Sequence, residues 1–238
     1  MVSVNVKGSH RRVDGVRSRQ KSKGVDIFCL QEIPMGRDGE WYGVEGYVII
    51  GGIGGIGGGY DRRRGKEAVV GMLVNKKWEK KMVVVERKVD KIGVRLRMGR
   101  EVDIEIWSIN VGSGKHRGYE WIEGDGNVVV MGDVNARSER WEVEGFVSEW
   151  EGKIVERWMD EYGCELGTVK GEVTRYGEGN GVRDGVIDIG VGVGDIRMEG
   201  RSWERIVGLD HRPVEMGVVI GENEVWEEEE CRGMVDWE

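Results

Sequence analysis

Five short apolar runs in this chain each end on carboxylates, amides or a histidine, and that pattern points to a sheet-built fold whose chemistry sits at strand ends. They read Val2-Ser3-Val4-Asn5, Asp26-Ile27-Phe28-Cys29-Leu30-Gln31-Glu32, Val128-Val129-Val130-Met131-Gly132-Asp133-Val134-Asn135-Ala136, Val186-Ile187-Asp188 and Leu209-Asp210-His211-Arg212-Pro213-Val214. In each, the polar group is expected where a buried strand surfaces. Oxygen donors gathered this way suit a hard cation, because Mg²⁺ takes one or two carboxylates and leaves its other positions to water and a substrate phosphate.

Composition agrees with a sheet protein. Gly accounts for 41 of 238 residues and Val is abundant, whereas Pro, Phe, Ala and Thr occur twice each. The core must therefore come from Val, Ile, Met and Trp, a strand-forming vocabulary. The scarce residues mostly need cytosine in their codons, which indicates strand-biased mutation. A chain of this length buries about 70–75% of the surface its unfolded form exposes. Strands are expected at 1–6, 26–30, 68–74, 82–85, 92–98, 102–111, 128–131, 186–193 and 213–220, several with period-2 alternation such as Val102, Ile104 and Ile106. Residues 11–23 read as a polar, mostly basic helix. Seven glycines in residues 51–59 read as a loop; no Lys-Ser/Thr follows, which argues against a nucleotide-binding loop.

Charge is uneven. Residues 222–238 hold eight acids and one Arg, net −7 of the chain's −8, and read as an acidic tail after a single domain spanning 1–221. Residues 60–100 carry fourteen Lys and Arg against five acids, net +9, including Arg62, Arg63 and Arg64 and the pairs Lys76-Lys77 and Lys80-Lys81. A basic segment in an otherwise near-neutral domain is a footprint for a phosphate backbone, though a solvated surface gives the same composition. Cys29, Cys164 and Cys231 are odd in number and lack Cys-x-x-Cys spacing, so neither a disulfide framework nor a zinc site is expected. No apolar run approaches the roughly 18 residues of a membrane span. These features point to no membrane partner and a reducing intracellular compartment, the nucleus if DNA is the target.

The order and spacing of Leu-Gln-Glu, Gly-Asp-x-Asn-Ala followed by Trp141, Ile-Asp and Asp-His-Arg-Pro-Val resemble the exonuclease-endonuclease-phosphatase superfamily, most closely the endonuclease domains of non-LTR retrotransposons. The resemblance covers about residues 2 to 220. It implies an α+β four-layer sandwich, two packed and mainly antiparallel sheets flanked by helices, with the site at one end. It also implies a metal-dependent endonuclease acting on DNA with Mg²⁺, Mn²⁺ being the alternative ion, and a reverse transcriptase domain in a longer polyprotein. Carried over residue by residue, Asn5, Glu32 and Asp210 attend the metal. Asp133 orients and deprotonates the attacking water, Asn135 donates to a phosphate oxygen, and Asp188 raises the pKa of His211 so that its imidazolium offsets charge in the transition state.

Two departures stand out. The family's phosphate-contacting tyrosine is replaced by Asn110, and the serine or threonine usually just before Ile-Asp is absent, with Asp184-Gly185-Val186 in its place. Asn110 can still donate through its amide. Loss of one transition-state donor typically costs about 10²–10³ in rate, so weak turnover is expected. A phosphomonoesterase of the same superfamily and a weakened nucleic-acid-binding remnant stay open as alternatives. If Arg62, Arg63 and Arg64 follow a DNA backbone, replacing all three by Ala should lower the slope of log affinity against log salt by about two to three units, at roughly 0.9 per neutralised duplex phosphate. A parent protein whose DNA affinity ignores salt would rule this out.

Overall fold

A computed structural model describes residues 1–6, 24–34, 44–51, 68–99, 102–111, 126–177, 183–204, 206 and 209–221. Among these, twelve strands form two six-stranded sheets. The first sheet holds β1 (Val2–Asn5), β2 (Ile27–Pro34), β3 (Tyr47–Gly51), β4 (Ala68–Asn75), β11 (Ile196–Ser202) and β12 (Val214–Ile220), in the order β11-β12-β1-β2-β4-β3. The second holds β5 (Met82–Arg87), β6 (Lys91–Arg97), β7 (Asp103–Asn110), β8 (Asn127–Asp133), β9 (Glu165–Leu166) and β10 (Asp188–Val193), in the order β5-β6-β7-β8-β10-β9. Neighbours run antiparallel except β1 with β2 and β7 with β8, the central pair of each sheet.

Parallel central strands end at the same edge of their sheet. The C-terminal ends of β1 and β2 carry Asn5 and Glu32, and those of β7 and β8 carry Asn110 and Asp133. Both faces of these strands are buried, which explains their nearly continuous apolar runs. Along β2, Ile27 and Cys29 join the core between the sheets, while Phe28 and Leu30 face an outer cluster with Trp203 and Leu209. On the second sheet, Val129 and Met131 point inward and Val128 and Val130 outward, against the helix α1 (Trp150–Tyr162).

Helix α1 lies in a stretch with no strand signal. Val155, Trp158 and Met159, at i, i+3 and i+4, form its buried stripe, and Gly163 closes it in the left-handed conformation with φ 61°. The two-sheet sandwich agrees with the expected architecture, but helical flanking is sparse: α1 is the one α-helix among the described residues. Expected helix 11–23 and tail 222–238 lie outside the described residues. Strands β3, β9 and β11 have weak sequence signals. In β11 the buried Ile196 and Met198 alternate with Arg197 and Glu199, a period-2 pattern that its charged residues obscure.

Gly132 precedes the central carboxylate on β8 because nothing larger fits. A Cβ there would lie 2.0 Å from the carbonyl oxygen of Ile109 on the parallel neighbour β7. Gly132→Ala must push β7 and β8 apart at the end that carries Asn110 and Asp133, and overpacking of this kind costs about 1–3 kcal/mol or more. Chemical denaturation should show a loss in that range, and a variant as stable as the parent would show that the strands separate freely.

Candidate active site

Polar residues of β1 and β2 make a seam between the sheets. Ser3 and Asn5 alternate with Val2 and Val4, so both hydroxyl and amide point inward while the valines face the outer cluster. The Ser3 hydroxyl donates to Gln31 Oε1 at 3.3 Å, and Gln31 Nε2 donates to the Ser108 hydroxyl on β7 at 3.2 Å, which joins the sheets. One layer nearer the strand ends, Asn5 Nδ2 donates to Glu32 Oε1 and to Asp133 Oδ2, each at 3.0 Å. In a regular strand Gln31 and Glu32 would face opposite sides. Here the β2–β4 register shifts between Leu30 and Ile33, and Glu32 takes φ 51°. This bulge aims both side chains at the seam.

Asp133 ends β8, buried at 1% exposure. Its Oδ1 accepts the backbone N–H of Asn135 at 2.9 Å, and Asn135, at φ 45°, donates its amide to the Val111 carbonyl at 2.8 Å. Glu32 and Asn135 are the two non-glycine residues with positive φ among the described residues, and both are candidate site residues. Such conformations cost of order 1–3 kcal/mol and cluster at functional sites.

Asp188 opens β10 directly opposite Asp133 in the antiparallel ladder. His211 Nδ1 lies 2.8 Å from Asp188 Oδ2 with both side chains buried. A carboxylate can only accept, so Nδ1 carries the proton and Nε2 is left for other work. Ligand atoms of Asp133, Asp188 and His211 all lie within 4.8 Å of one another. Asp210 is buried beside them and Asn110 pairs in register with Asp133 across β7 and β8. The structure thus gathers Asn5, Glu32, Asn110, Asp133, Asn135, Asp188, Asp210 and His211 at one end of the sandwich. Gln31, Ser108, Thr174 and Glu142 support that group; Gln31 stands inside the Leu-Gln-Glu motif without an assigned role, and no motif of the sequence marks the other three.

Burial pushes the Asp133 carboxyl up to about 7, the charge of Asp188 adds to the rise, and His211 with the Asn135 and Asn5 donors opposes it. For His211, burial alone would lower the imidazole pKa, but the charge and hydrogen bond of Asp188, with Asp133 and Asp210 behind, raise it to about 9. Asp188 Oδ1 is buried without a hydrogen-bond partner among the described residues, and Glu32 and Asp133 converge on one amide nitrogen. Carboxylate oxygens converging with one oxygen unsatisfied fit a hard divalent cation. Burial also holds the Cys29 thiol up at about 12, as befits a small core residue rather than a nucleophile.

The basic segment divides between the two ends. Asn75, which leads into the 3₁₀ turn Lys76–Lys81, sits beside the start of β2, roughly 17 Å from Glu32 at about 3.3 Å per strand residue. Those lysines therefore lie away from the carboxylates. At the site end, Lys88 and Lys91 both pair with Glu86, and Lys91 also lies over the Trp107 ring. Arg62, Arg63 and Arg64 lie outside the described residues.

Two mixed six-stranded sheets packed face to face, each with a parallel central pair, are the fold of the endonuclease/exonuclease/phosphatase proteins. Among solved structures with this fold, the endonuclease domain of TRAS1, a telomere-specific non-LTR retrotransposon, matches with a TM-score of 0.66 at 15% identity over 90% of this chain and 95% of that one. The AP endonuclease LMAP from Leishmania major matches with 0.67 at 13% identity over 93% and 87%. The 3′ phosphatase NExo from Neisseria, bound to a product DNA hairpin, matches with 0.58 at 13% identity over 93% and 98%. No family model and no curated protein matches the sequence.

The two shifted groups act on stability in the same direction. His211 is raised from 6.5 to about 9, so its contribution is fully present below pH 6.5 and is lost as pH climbs through 9. Asp133 is raised from 3.8 to about 7, so a destabilising share grows between those values. With a chelator present, the melting temperature should fall between pH 6.5 and 9, and Asp188→Asn should flatten that fall. A parent curve flat over this range would show that the imidazole is not held as a cation.

Proposed function

We propose that the chain is a divalent-metal-dependent phosphodiesterase that nicks DNA by attack of water on phosphorus. The buried cluster of Asp133, Asp188 and His211, tied through Asn5 to Glu32, carries this reading. Glu32 and Asp210, attended by Asn5, would hold the cation, which when bound offsets negative charge on the phosphate. Asp133 is the group that orients and deprotonates the attacking water; a carboxyl raised to about 7 is well matched to proton transfer near neutral pH. His211, fixed through Nδ1 by Asp188, presents Nε2–H to the scissile phosphate as an imidazolium. Asn135 commits one amide hydrogen to Val111 and keeps the second for a phosphate oxygen. Asn110, at the end of β7 beside Asp133, is the remaining amide donor at that rim.

The fold shared with the endonuclease domain of TRAS1, a telomere-specific non-LTR retrotransposon, supports the endonuclease reading; DNA as substrate, a reverse transcriptase domain beside it in a longer polyprotein, and action in the nucleus are part of the same proposal. Phosphomonoester hydrolysis is the second reading, favoured by the fold shared with the NExo 3′ phosphatase.

Nicking of supercoiled plasmid in Mg²⁺ separates them. The endonuclease should open the circle in Mg²⁺ and not in chelator. Release of 3′ phosphate from an oligonucleotide without nicking would select the phosphatase, and DNA binding with neither activity would leave a binding remnant. Glu32→Gln keeps size and removes charge, so metal-dependent cleavage should drop by about 10² or more while the circular dichroism spectrum stays that of the parent. Undiminished cleavage in the variant would remove Glu32 from the metal site.

A further inference from the structure

Two charged features take no part in the chemistry at the strand ends, and the fold brings them to one end of the sandwich. β4 runs antiparallel to β2, so the lysine turn Lys76–Lys81 that follows it lies where β1 and β2 begin. β12 runs antiparallel to β1, with Ser3 opposite Val214 and Val2 opposite Glu215, so it too finishes there and leads through Gly221 into the acidic residues 222–238. Three strand spacings, about 14 Å, separate β12 from β4. Glu227 to Glu230 follow Gly221 by six to nine residues, an extended reach of about 20–30 Å. The acids can therefore reach the lysines.

Lys76, Lys77, Lys80 and Lys81 are all exposed, against one acid within the turn, Glu79. Lys77 pairs with Asp26 at 2.5 Å, and the Lys77 and Lys81 ammonium groups lie 5.4 and 5.6 Å from the centroid of the half-buried Trp78 ring. Lys76 and Lys80 make no ion pair among the described residues. The turn leads into β5, the outermost strand of its sheet, where Val83, Val84 and Val85 are 66, 39 and 41% exposed. An open apolar edge is a template for a further chain segment. A second copy laid on this edge would bring lysines against lysines or against Arg87 and Lys88, like charges either way. Residues 222–238 have the complementary character, eight acids against one Arg, with the apolar Met234, Val235 and Trp237 beyond the Glu227–Glu230 run. We propose that this segment docks on its own domain, Glu227–Glu230 against the lysine turn and Met234, Val235 and Trp237 on the Val83–Val85 edge. So occupied, the turn is withheld from phosphate backbones, which, on the nuclease reading, leaves DNA to the end that carries the carboxylates.

The thiol of Cys231, directly after Glu230, carries the probe. Cys29 is sealed in the core, so with Cys164→Ser a nitroxide attaches at Cys231 alone, and it broadens nearby amide signals of the ¹⁵N-labelled whole chain. Docking should broaden the amides of residues 76–85 and the Trp78 indole N–H and spare those of residues 186–189 at the other end. The effect should vanish in 1 M salt, where charges are screened beyond about 3 Å. Replacing Glu227, Glu228, Glu229 and Glu230 by Gln should abolish it in a chain that still melts cooperatively, and should steepen the salt dependence of duplex DNA binding by about two to four units, at roughly 0.9 per neutralised phosphate. Broadening that is absent, uniform over the chain or retained in the Gln variant would overturn the docking. Equal broadening of ¹⁵N chains mixed with separately spin-labelled ones would assign the edge to a second copy instead, and oligonucleotide shifts at the turn as large in the parent as in the Gln variant would assign it to nucleic acid. A parent that shows the docked pattern but nicks no plasmid would sink the nuclease reading and keep the contact.

Discussion

One amide holds the working end of this protein together. Asn5 Nδ2 donates to Glu32 on its own sheet and to Asp133 on the opposite one, and below it the chain from Ser3 through Gln31 to Ser108 repeats the crossing. Dispersion and apolar burial hold the sheets together elsewhere, but those forces tolerate sliding. Hydrogen bonds between buried polar groups do not, because a lost partner leaves a desolvated donor or acceptor. The polar seam therefore fixes the register of the two sheets where the apolar core ends. Since Glu32 and Asp133 share the amide, their carboxylates are held close together, while burial and then the charge of Asp188 raise the Asp133 carboxyl.

The fold makes this economical through its two central parallel pairs. In an antiparallel meander successive strand ends fall at opposite edges, whereas β1 with β2 and β7 with β8 deliver four C-terminal ends to one edge. Asp188 and His211 reach the same place from strand starts and loops, and these need more support. Asp188 sits at the last rung of its ladder and depends on Thr174 and on the Glu142–Arg137 pair behind Val186, where Arg137 Nε lies 2.5 Å from Glu142 Oε1. Burial, with the charge of Asp188, then lifts the Asp133 carboxyl to about 7, and against its own burial the imidazole is kept a cation by Asp188 with Asp133 and Asp210 behind.

Asn110 shows what a single replacement leaves unchanged. It stands at the end of β7, in register with Asp133, so an amide occupies the rim where the resemblance places a phenol. The backbone there is set by neighbours rather than by the side chain, since Asn110 N–H donates to the Asp90 carbonyl at 2.9 Å. The strand end can thus change its donor without moving the carboxylate beside it.

Much of this was legible in the chain. Apolar runs ending on polar residues marked the central strands, because a strand buried on both faces must be continuously apolar and can turn polar only where it emerges. Motif order marked Glu32, Asp133, Asp188 and His211 as one group. What the sequence could not show were features set by contacts between distant segments. Period-2 reading sends Gln31 and Glu32 to opposite faces, and only the bulge against β4 turns both toward the seam. Residues 76–81 read as part of one basic footprint with residues 62–64, yet strand direction carries that turn to the far end of the sandwich. Thr174 carries no motif, yet its hydroxyl accepts the Ile187 and Asp188 N–H groups where β9 no longer covers β10. Local pattern decides which segments become strands and where their chemistry sits along them; which strand ends meet, and which side chains hold them there, is decided by the pairing of the sheets.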